Sequence, residues 1–382
     1  MHVIRIHKVI NRLISILRLI GIWSYGDKPV KERIIKWVYC SYYILFVVAL
    51  TLGAISSKTK DEAIFTAEIA IKVAVLTVKF FVLIWKQKKI QIMINRIGVL
   101  SIRHEESFTF CNEKLERFMK LAVVFLISLF ICSVFAGVVI PFLGSERNLI
   151  FEIAFPWDFK NNDVAFLVAI VFVATETFLT NLPIIFSVII WYLMFSCFLR
   201  YKVLAADLRN MGRIVEQETA SKSDKEMHKI FLRDLEMSIV SHKHLRGLID
   251  EFGSFSANLF FLQFCISGIC ICTSTYCMAI NMSENLVERF VYMYSFIYNI
   301  SELFMITYLG NDIKLSSNRL SYSLFESPWI DQPLSTNKCV IIFGEFLKQP
   351  HVLLIGKLYP LTLETFNKIL NSAYSMFNIL NE

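Results

Sequence analysis

The run VAFLVAIVFVATETFLTNLPIIFSVIIWYLMFSCFL, residues 164–199, contains 36 residues and a single charged group, Glu176. As one helix it would be roughly 54 Å long, against about 30 Å of hydrocarbon in a bilayer. It must tilt, kink or project from the membrane, and Pro183 supplies a kink site. Six further stretches are apolar enough to cross a bilayer: residues 37–56, 63–85, 121–142, 255–280, 290–313 and 352–380. The expected fold is therefore all-α, a bundle of seven transmembrane helices. The composition agrees, with 55% hydrophobic and 19% charged residues and a mean hydropathy of +0.55.

Working outward from each run, Lys and Arg alternate between dense and sparse. The arm before Trp37 holds 8, the next gap 2 (Lys58, Lys60), residues 86–120 hold 8 and residues 142–163 hold 2. Residues 200–254 then hold 10, the gap after Ile280 only Arg289, and residues 312–349 hold 4. Cytoplasmic loops carry the basic excess, so the expected amino terminus is inside and the carboxyl terminus outside. The net charge of +7 is then membrane topology, and no nucleic-acid partner is called for. This orientation opposes a metabotropic seven-helix receptor, whose amino terminus would be external.

The arm 1–22 mixes Arg and Lys through apolar residues without a clean apolar core, so no cleavable signal is expected there. It reads as an amphipathic helix on the inner membrane surface or as a frayed tail. Residues 200–251 carry Leu232, Leu235, Ile239 and His242 on one helical stripe. The fourth span is expected to continue into the cytoplasm, and a returning helix to lead into the fifth. Residues 219–224 are the expected disordered turn between them. An apolar stripe there needs a partner, which suggests a cytoplasmic helical bundle and subunit contact. Outside, residues 142–163 with Pro156-Trp157-Asp158 fit either a lid over the bundle or an interfacial belt.

Nine scattered cysteines lie mostly in spans or on the cytoplasmic side, where no disulfide framework is expected. Cys270-Ile271-Cys272 sits in an apolar helix without a histidine cluster and reads as packing. The sequon Asn281-Met282-Ser283 falls close to the bilayer. No nucleotide loop, metal-ligand spacing or nucleophile–base set is present, so no enzyme, metal or cofactor is expected.

The last run is the least lipid-like. Glu364, Lys368, Asn371, Ser375, Asn378 and Glu382 recur at spacings of 4, 3, 4, 3 and 4, which places all six on one helical face. Ionisable groups facing hydrocarbon are costly, so water or protein must lie opposite. A shared aqueous pore and a polar seam inside one bundle both fit. Lys368 is placed to pair with Glu364 at i, i+4. Glu382, at the external end, would favour cations.

The carboxyl-terminal third carries Tyr308-Leu309-Gly310-Asn311-Asp312, Ser316-Ser317, Leu320, Tyr322-Ser323 and Ser327-Pro328-Trp329. It continues with Phe346-Leu347-Lys348-Gln349-Pro350, Gly356, Leu363-Glu364-Thr365-Phe366 and Tyr374-Ser375-Met376-Phe377. In order and spacing these resemble the insect odorant receptor family. The related gustatory receptors carry a Gln before the final Phe, which this chain lacks. The resemblance implies a tuning subunit that joins an obligate co-receptor in a heterotetrameric, ligand-gated, non-selective cation channel of the plasma membrane of sensory dendrites. The seventh helices would line the pore, here through Glu364, Lys368, Asn371, Ser375, Asn378, Ile379 and Glu382, with a gate over residues 376–382. Residues 1–313 would form the ligand-binding bundle, and residues 314–382 the anchor and pore helix.

The resemblance also places a small volatile odorant in the outer half of the bundle. The expected lining is Ile69, Lys72 and Val73 of the second span, with Ser133, Ala136, Gly137 and Ile140 of the third. Phe172, Thr175 and Glu176 of the fourth and Tyr292, Tyr294, Phe296 and Tyr298 of the sixth complete it. Lys72 has two candidate partners: Glu176 across the bundle, or Glu68 at i, i+4.

Overall fold

The computed structural model describes residues 2–23, 29–57, 59–135, 153–154, 163–213, 224–280 and 286–381. A short strand β1 (His2–Ile4) precedes helices α1 (Lys8–Leu19), α2 (Pro29–Ser56), α3 (Lys60–Trp85) and α4 (Gln87–Ile97). Strand β2 (Leu100–Ile102) leads to α5 (Glu105–Val134), α6 (Asp163–Leu179), α7 (Asn181–Arg209), α8 (Asp224–Ile280) and α9 (Leu286–Asn318). The chain closes with α10 (Leu320–Phe325), α11 (Leu334–Leu347), β3 (Leu354–Ile355), β4 (Tyr359–Pro360) and α12 (Leu363–Asn381). Among the described helices, Glu32–Ser56, Glu105–Val134, Asp163–Arg209 and Asp224–Met278 are long and apolar enough to cross a membrane by composition alone. The expected second, sixth and seventh spans are α3, α9 and α12, which carry internal charges such as Lys79, Glu302 and Lys368.

Contacts gather the basic gaps at one end of the bundle. Lys8 pairs with Glu116, Arg96 with Glu251, Arg103 with Asp234 and Arg209 with Glu326. Every pair joins two of the Lys/Arg-rich gaps. At this end α7 runs ten residues past the predicted span limit of Leu199, to Arg209, and α8 arrives as one unbroken helix of 57 residues. That is the expected extension and return; the turn 219–224 lies outside the described residues except for Asp224.

The amino-terminal arm is helical, but its apolar face does not lie on lipid. Ile10, Leu13, Ile14 and Leu17 are buried in the main protein core, and β1 pairs antiparallel with β2, Val3 opposite Ser101. His7 starts α1 by accepting the Val9 N–H on Nδ1 at 3.2 Å. All nine cysteines are free.

The 36-residue run breaks into α6 and α7 at Thr180. Proline 183 has no N–H to give the carbonyl four residues back, that of Leu179. The Tyr43 hydroxyl of α2, fully buried, donates to that carbonyl instead. A kink that would otherwise leave a bare acceptor in an apolar interior is thereby satisfied.

The seventh apolar run needs a correction. Its first third is not helical: β3 and β4 form a hairpin, Ile355 opposite Tyr359, and α12 begins only at Leu363. Gly356 and Lys357 both adopt positive φ, 57° and 63°, which a helix forbids and a tight turn demands. A Cβ on Gly356 would sit 2.8 Å from the Phe261 ring of α8, and the Gly356 N–H donates to Ala257 O at 2.9 Å. Gly310 plays a similar part above it, because a Cβ there would meet the Leu361 carbonyl at 2.5 Å. The lead-in to α12 is thus clamped between α8 and α9.

On the basic end, α11 lies against α8 and leaves an apolar groove of about 760 Å³ lined by Ile239, His242, Ile342, Phe343 and Phe346 among others. His242 packs edge-on to Phe343 and Phe346, with ring centroids at 5.9 and 5.7 Å. Burial, helped by the nearby positive charge of Arg246 and by His351, pushes its imidazole down to about 4. His351 is also held below its usual range by burial, which the neighbouring Asp250 carboxylate opposes.

Two outcomes are expected. Tyr43→Phe leaves the Leu179 carbonyl without a partner and lowers stability by about 1–3 kcal/mol, read as a drop in the melting temperature of the detergent-purified protein; an unchanged melt refutes the role given to this hydroxyl. His242 stays neutral in the fold until about pH 4 but protonates near 6.5 when unfolded. Its contribution is therefore whole above 6.5 and lost as pH falls from there toward 4. Between pH 7 and 4.5 the wild type should lose up to about 3 kcal/mol more than His242→Phe; equal losses would remove His242 as the cause.

Candidate functional site

Away from the basic end, the helices separate around an internal cavity of about 150 Å³. That is close to the volume of an engineered apolar cavity that takes up benzene. On α3, Ile69, Lys72, Val73 and Leu76 recur at helical spacing, so one face of that helix forms a wall. On α9, Val291, Tyr294, Ser295, Tyr298 and Asn299 do the same. Phe46 comes from α2, Ser133 from α5, Thr177 from α6, Ile184 from α7, and Gln263, Ile266 and Ser267 from α8. Thr180 enters at the α6–α7 break, so the kink imposed by Pro183 also shapes the cavity.

Of the residues expected from sequence, Ile69, Lys72, Val73, Ser133, Tyr294 and Tyr298 stand on this wall. Ala136, Gly137 and Ile140 lie outside the described residues. The others face elsewhere. Phe172 packs edge-on against Tyr42 and Phe46, and Thr175 returns its hydroxyl to Val171 O at 2.7 Å. Glu176 is fully buried beside Tyr42 and Tyr43. Tyr292 packs against Phe65 at 5.1 Å, and Phe296 packs on the main core. On α9 the cavity-facing residues fall at positions 290, 291, 294, 295, 298 and 299, a phase that turns 292 and 296 away.

Lys72 takes the local partner: its Nζ lies 2.5 Å from Glu68 Oε1, and the cross-bundle pair with Glu176 does not form. The same oxygen accepts from Ser274 at 2.7 Å and Ser295 at 2.9 Å. A hydrogen-bonded chain then runs along the cavity floor. Asn299 donates to Ser295 O, Ser267 donates to Asn299 Oδ1 at 3.2 Å, and Gln263 donates to Ser267 at 2.7 Å and to Glu302 Oε2 at 3.0 Å. Glu302, 1% exposed, also accepts from Ser187 at 2.7 Å and forms an ion pair with Lys79 of α3. Lys79 and Glu302 were missed at the sequence level. The signal was there: an ionisable residue deep in an apolar run requires an opposite charge on a facing helix.

The second candidate is α12. It packs on α8 and α9 through Phe366, Ile369, Leu370 and Ala373. Its opposite face is exposed, and there lie Glu364, Lys368, Asn371, Ser375, Asn378 and Ile379. Glu364 and Lys368 form the expected i, i+4 pair at 2.6 Å. Glu382 lies outside the described residues.

The 7tm Odorant receptor family model matches residues 59–374. This chain belongs to that family. It is 22% identical to Odorant receptor 94a of Drosophila melanogaster over 96% of this chain and 95% of that one. It is 23% identical to Odorant receptor 33a of the same fly over 95% and 93%. With Odorant receptor 10 of Aedes albopictus the identity is 26%, over 37% of each chain. The matched stretch thus spans less than two fifths of that relative's length. In structure the receptor resembles the insect olfactory receptor OR5 from Machilis hrabei, with a TM-score of 0.81 at 14% identity, covering 98% of this chain and 97% of that one. The same receptor in complex with eugenol gives a TM-score of 0.79 at 13% identity. The fold is the all-α bundle of insect odorant receptors, and several of its described helices are long and apolar enough to cross a membrane.

The buried ion pair generates a sharp expectation. Lys79→Met leaves Glu302 charged and alone and should cost about 3–5 kcal/mol, seen as loss of receptor at the cell surface. Lys79→Met with Glu302→Leu removes both charges and should restore most of it. A single variant that reaches the surface normally would show that the pair does not hold the bundle.

Proposed function

We propose that this receptor is the odorant-binding subunit of a heteromeric, ligand-gated, non-selective cation channel, with its amino terminus in the cytoplasm. One observation carries the channel reading: α12 buries its apolar face on its own subunit and leaves the charged and amide face uncovered. A face with Glu364, Lys368, Asn371, Ser375 and Asn378 is too costly for lipid, and within one subunit nothing described covers it. A water-filled path built with the same helix of neighbouring subunits removes that cost. The wide spread of Lys and Arg at one end of the bundle supports the inside orientation.

In this reading a small volatile molecule occupies the cavity among α3, α8 and α9, whose wall is apolar with a few polar groups. Gating requires only that it bind the open arrangement better than the closed one. The co-receptor subunits would dock along the basic end, where the groove between α8 and α11 exposes Ile342 and Phe346. Residues to Ile313 act as the ligand bundle, and those after it as anchor and pore helix.

Co-expression with the co-receptor subunit and recording under an odorant panel tests this. Currents within milliseconds that persist when G proteins are blocked are expected, and none without the partner. On the same cells, a charged, water-soluble thiol reagent should reduce the current of Ser375→Cys. It should spare Ala373→Cys, whose position is buried, and the parent chain. Slow, G-protein-dependent responses, or equal labelling effects at both positions, would refute the reading.

A further inference from the structure

The polar groups of the cavity wall are mostly spent on the protein itself. The hydroxyls of Ser133, Thr177 and Thr180 donate to backbone carbonyls one turn back, at 2.7 to 2.8 Å. Ser267 gives its hydrogen to Asn299 and Ser295 to Glu68, while the Gln263 amide nitrogen serves both Ser267 and Glu302. Lys72 is different. Its ammonium carries three hydrogens, and among the described residues Glu68 Oε1 is its hydrogen-bond acceptor. It stands on the wall with 14% of its side chain exposed, and it is the charged donor of the lining. Hydrogens left over on a charged group in an apolar surrounding are a demand for an acceptor.

The charge of that acceptor follows from Glu68. The pair is already neutral, and Glu68 Oε2 is buried with no hydrogen-bond partner. A carboxylate ligand would set a second anion beside one cation at low dielectric, and an ammonium ligand would meet Lys72 itself; both are costly. A neutral acceptor suits the site: it takes a hydrogen from Lys72 and adds no charge to the pair. The cavity volume of about 150 Å³ limits the body to about one six-membered ring or a short chain.

We propose that Lys72, paired with Glu68, selects small neutral carbonyl compounds, apolar apart from one oxygen acceptor, in the cavity between α3, α8 and α9. This rests on the cavity being the ligand site, and it adds the class of ligand and the residue that chooses it.

The test uses shape-matched probes in which C=CH2 replaces C=O: acetophenone and 2-phenylpropene, cyclohexanone and methylenecyclohexane, 2-heptanone and 2-methyl-1-heptene. Benzoate serves as the anionic control. Binding to the full chain in lipid nanodiscs is read as a concentration-dependent shift in melting temperature. Odour-evoked current is read separately in cells that also express the co-receptor subunit. At least one ketone should half-saturate at about tenfold lower concentration than its alkene twin, a difference of about 1.4 kcal/mol, and benzoate should be weaker than either. Lys72→Met alone strands Glu68 and can fail to fold, so the decisive variant is Lys72→Met with Glu68→Gln; there the twins should bind alike. Alkenes that match their ketones in the wild type overturn the proposal, as does a preference that survives the double variant. Benzoate binding best, or no ketone binding at all, also overturns it. Ketone-selective binding without current would sink the channel reading and leave this one standing. Current with no ketone preference would do the reverse.

Discussion

Two charges that cannot be left alone organise this bundle. Lys79 on α3 and Glu302 on α9 are buried where water cannot reach them, and each makes the other tolerable. Their pairing fixes the rotation of both helices, because a side chain that must meet a partner cannot turn away from it. Ser187 of α7 and Gln263 of α8 complete the coordination of Glu302, so four helices are brought into phase by one carboxylate. The faces of α3 and α9 that line the cavity are set by the same rotation. Position in the fold and shape of the cavity are therefore one problem with one solution. A hydrophobic interior alone would allow many rotations, since lipid tails and leucines offer similar surroundings. The polar chain from Glu68 to Glu302 removes that freedom.

Much of this was legible in the residues. The apolar runs foretell the helices, and the ion pairs linking Lys8 to Glu116 and Arg96 to Glu251 gather the Lys/Arg-rich gaps at one end. The extension of α7 and the return of α8 followed from the stripe Leu232, Leu235 and Ile239. The start of α12 was misread because Val352, Leu353, Leu354 and Ile355 look like helix when only hydropathy is weighed. Pro350, Gly356 and Pro360 punctuate that stretch, and two successive positive φ angles there make a helix impossible.

The cavity was half legible. Helical phase puts Ile69, Lys72 and Val73 on one face of α3, and that much can be read from spacing. Which face of α6 or α9 turns inward depends on the break at Thr180 and on the Lys79–Glu302 contact, and neither is a local property. Phe172 and Glu176 consequently turn toward α2, and Tyr292 toward Phe65. The contribution of α8 through Gln263 and Ser267 went unseen because two polar residues in an apolar run do not announce their neighbours.

The uninterrupted length of α8 has a mechanical consequence. Fifty-seven residues make a rod of roughly 86 Å, which borders the cavity at Gln263, Ile266 and Ser267 and carries the groove against α11 along Ile239 to Asp250. Such a rod works as a lever: a swing of only a degree or so about its middle moves either tip by less than 1 Å, yet in opposite directions. The hairpin before α12 is bound to this rod near its middle, through Ala257 and Phe261, where such a swing displaces it least.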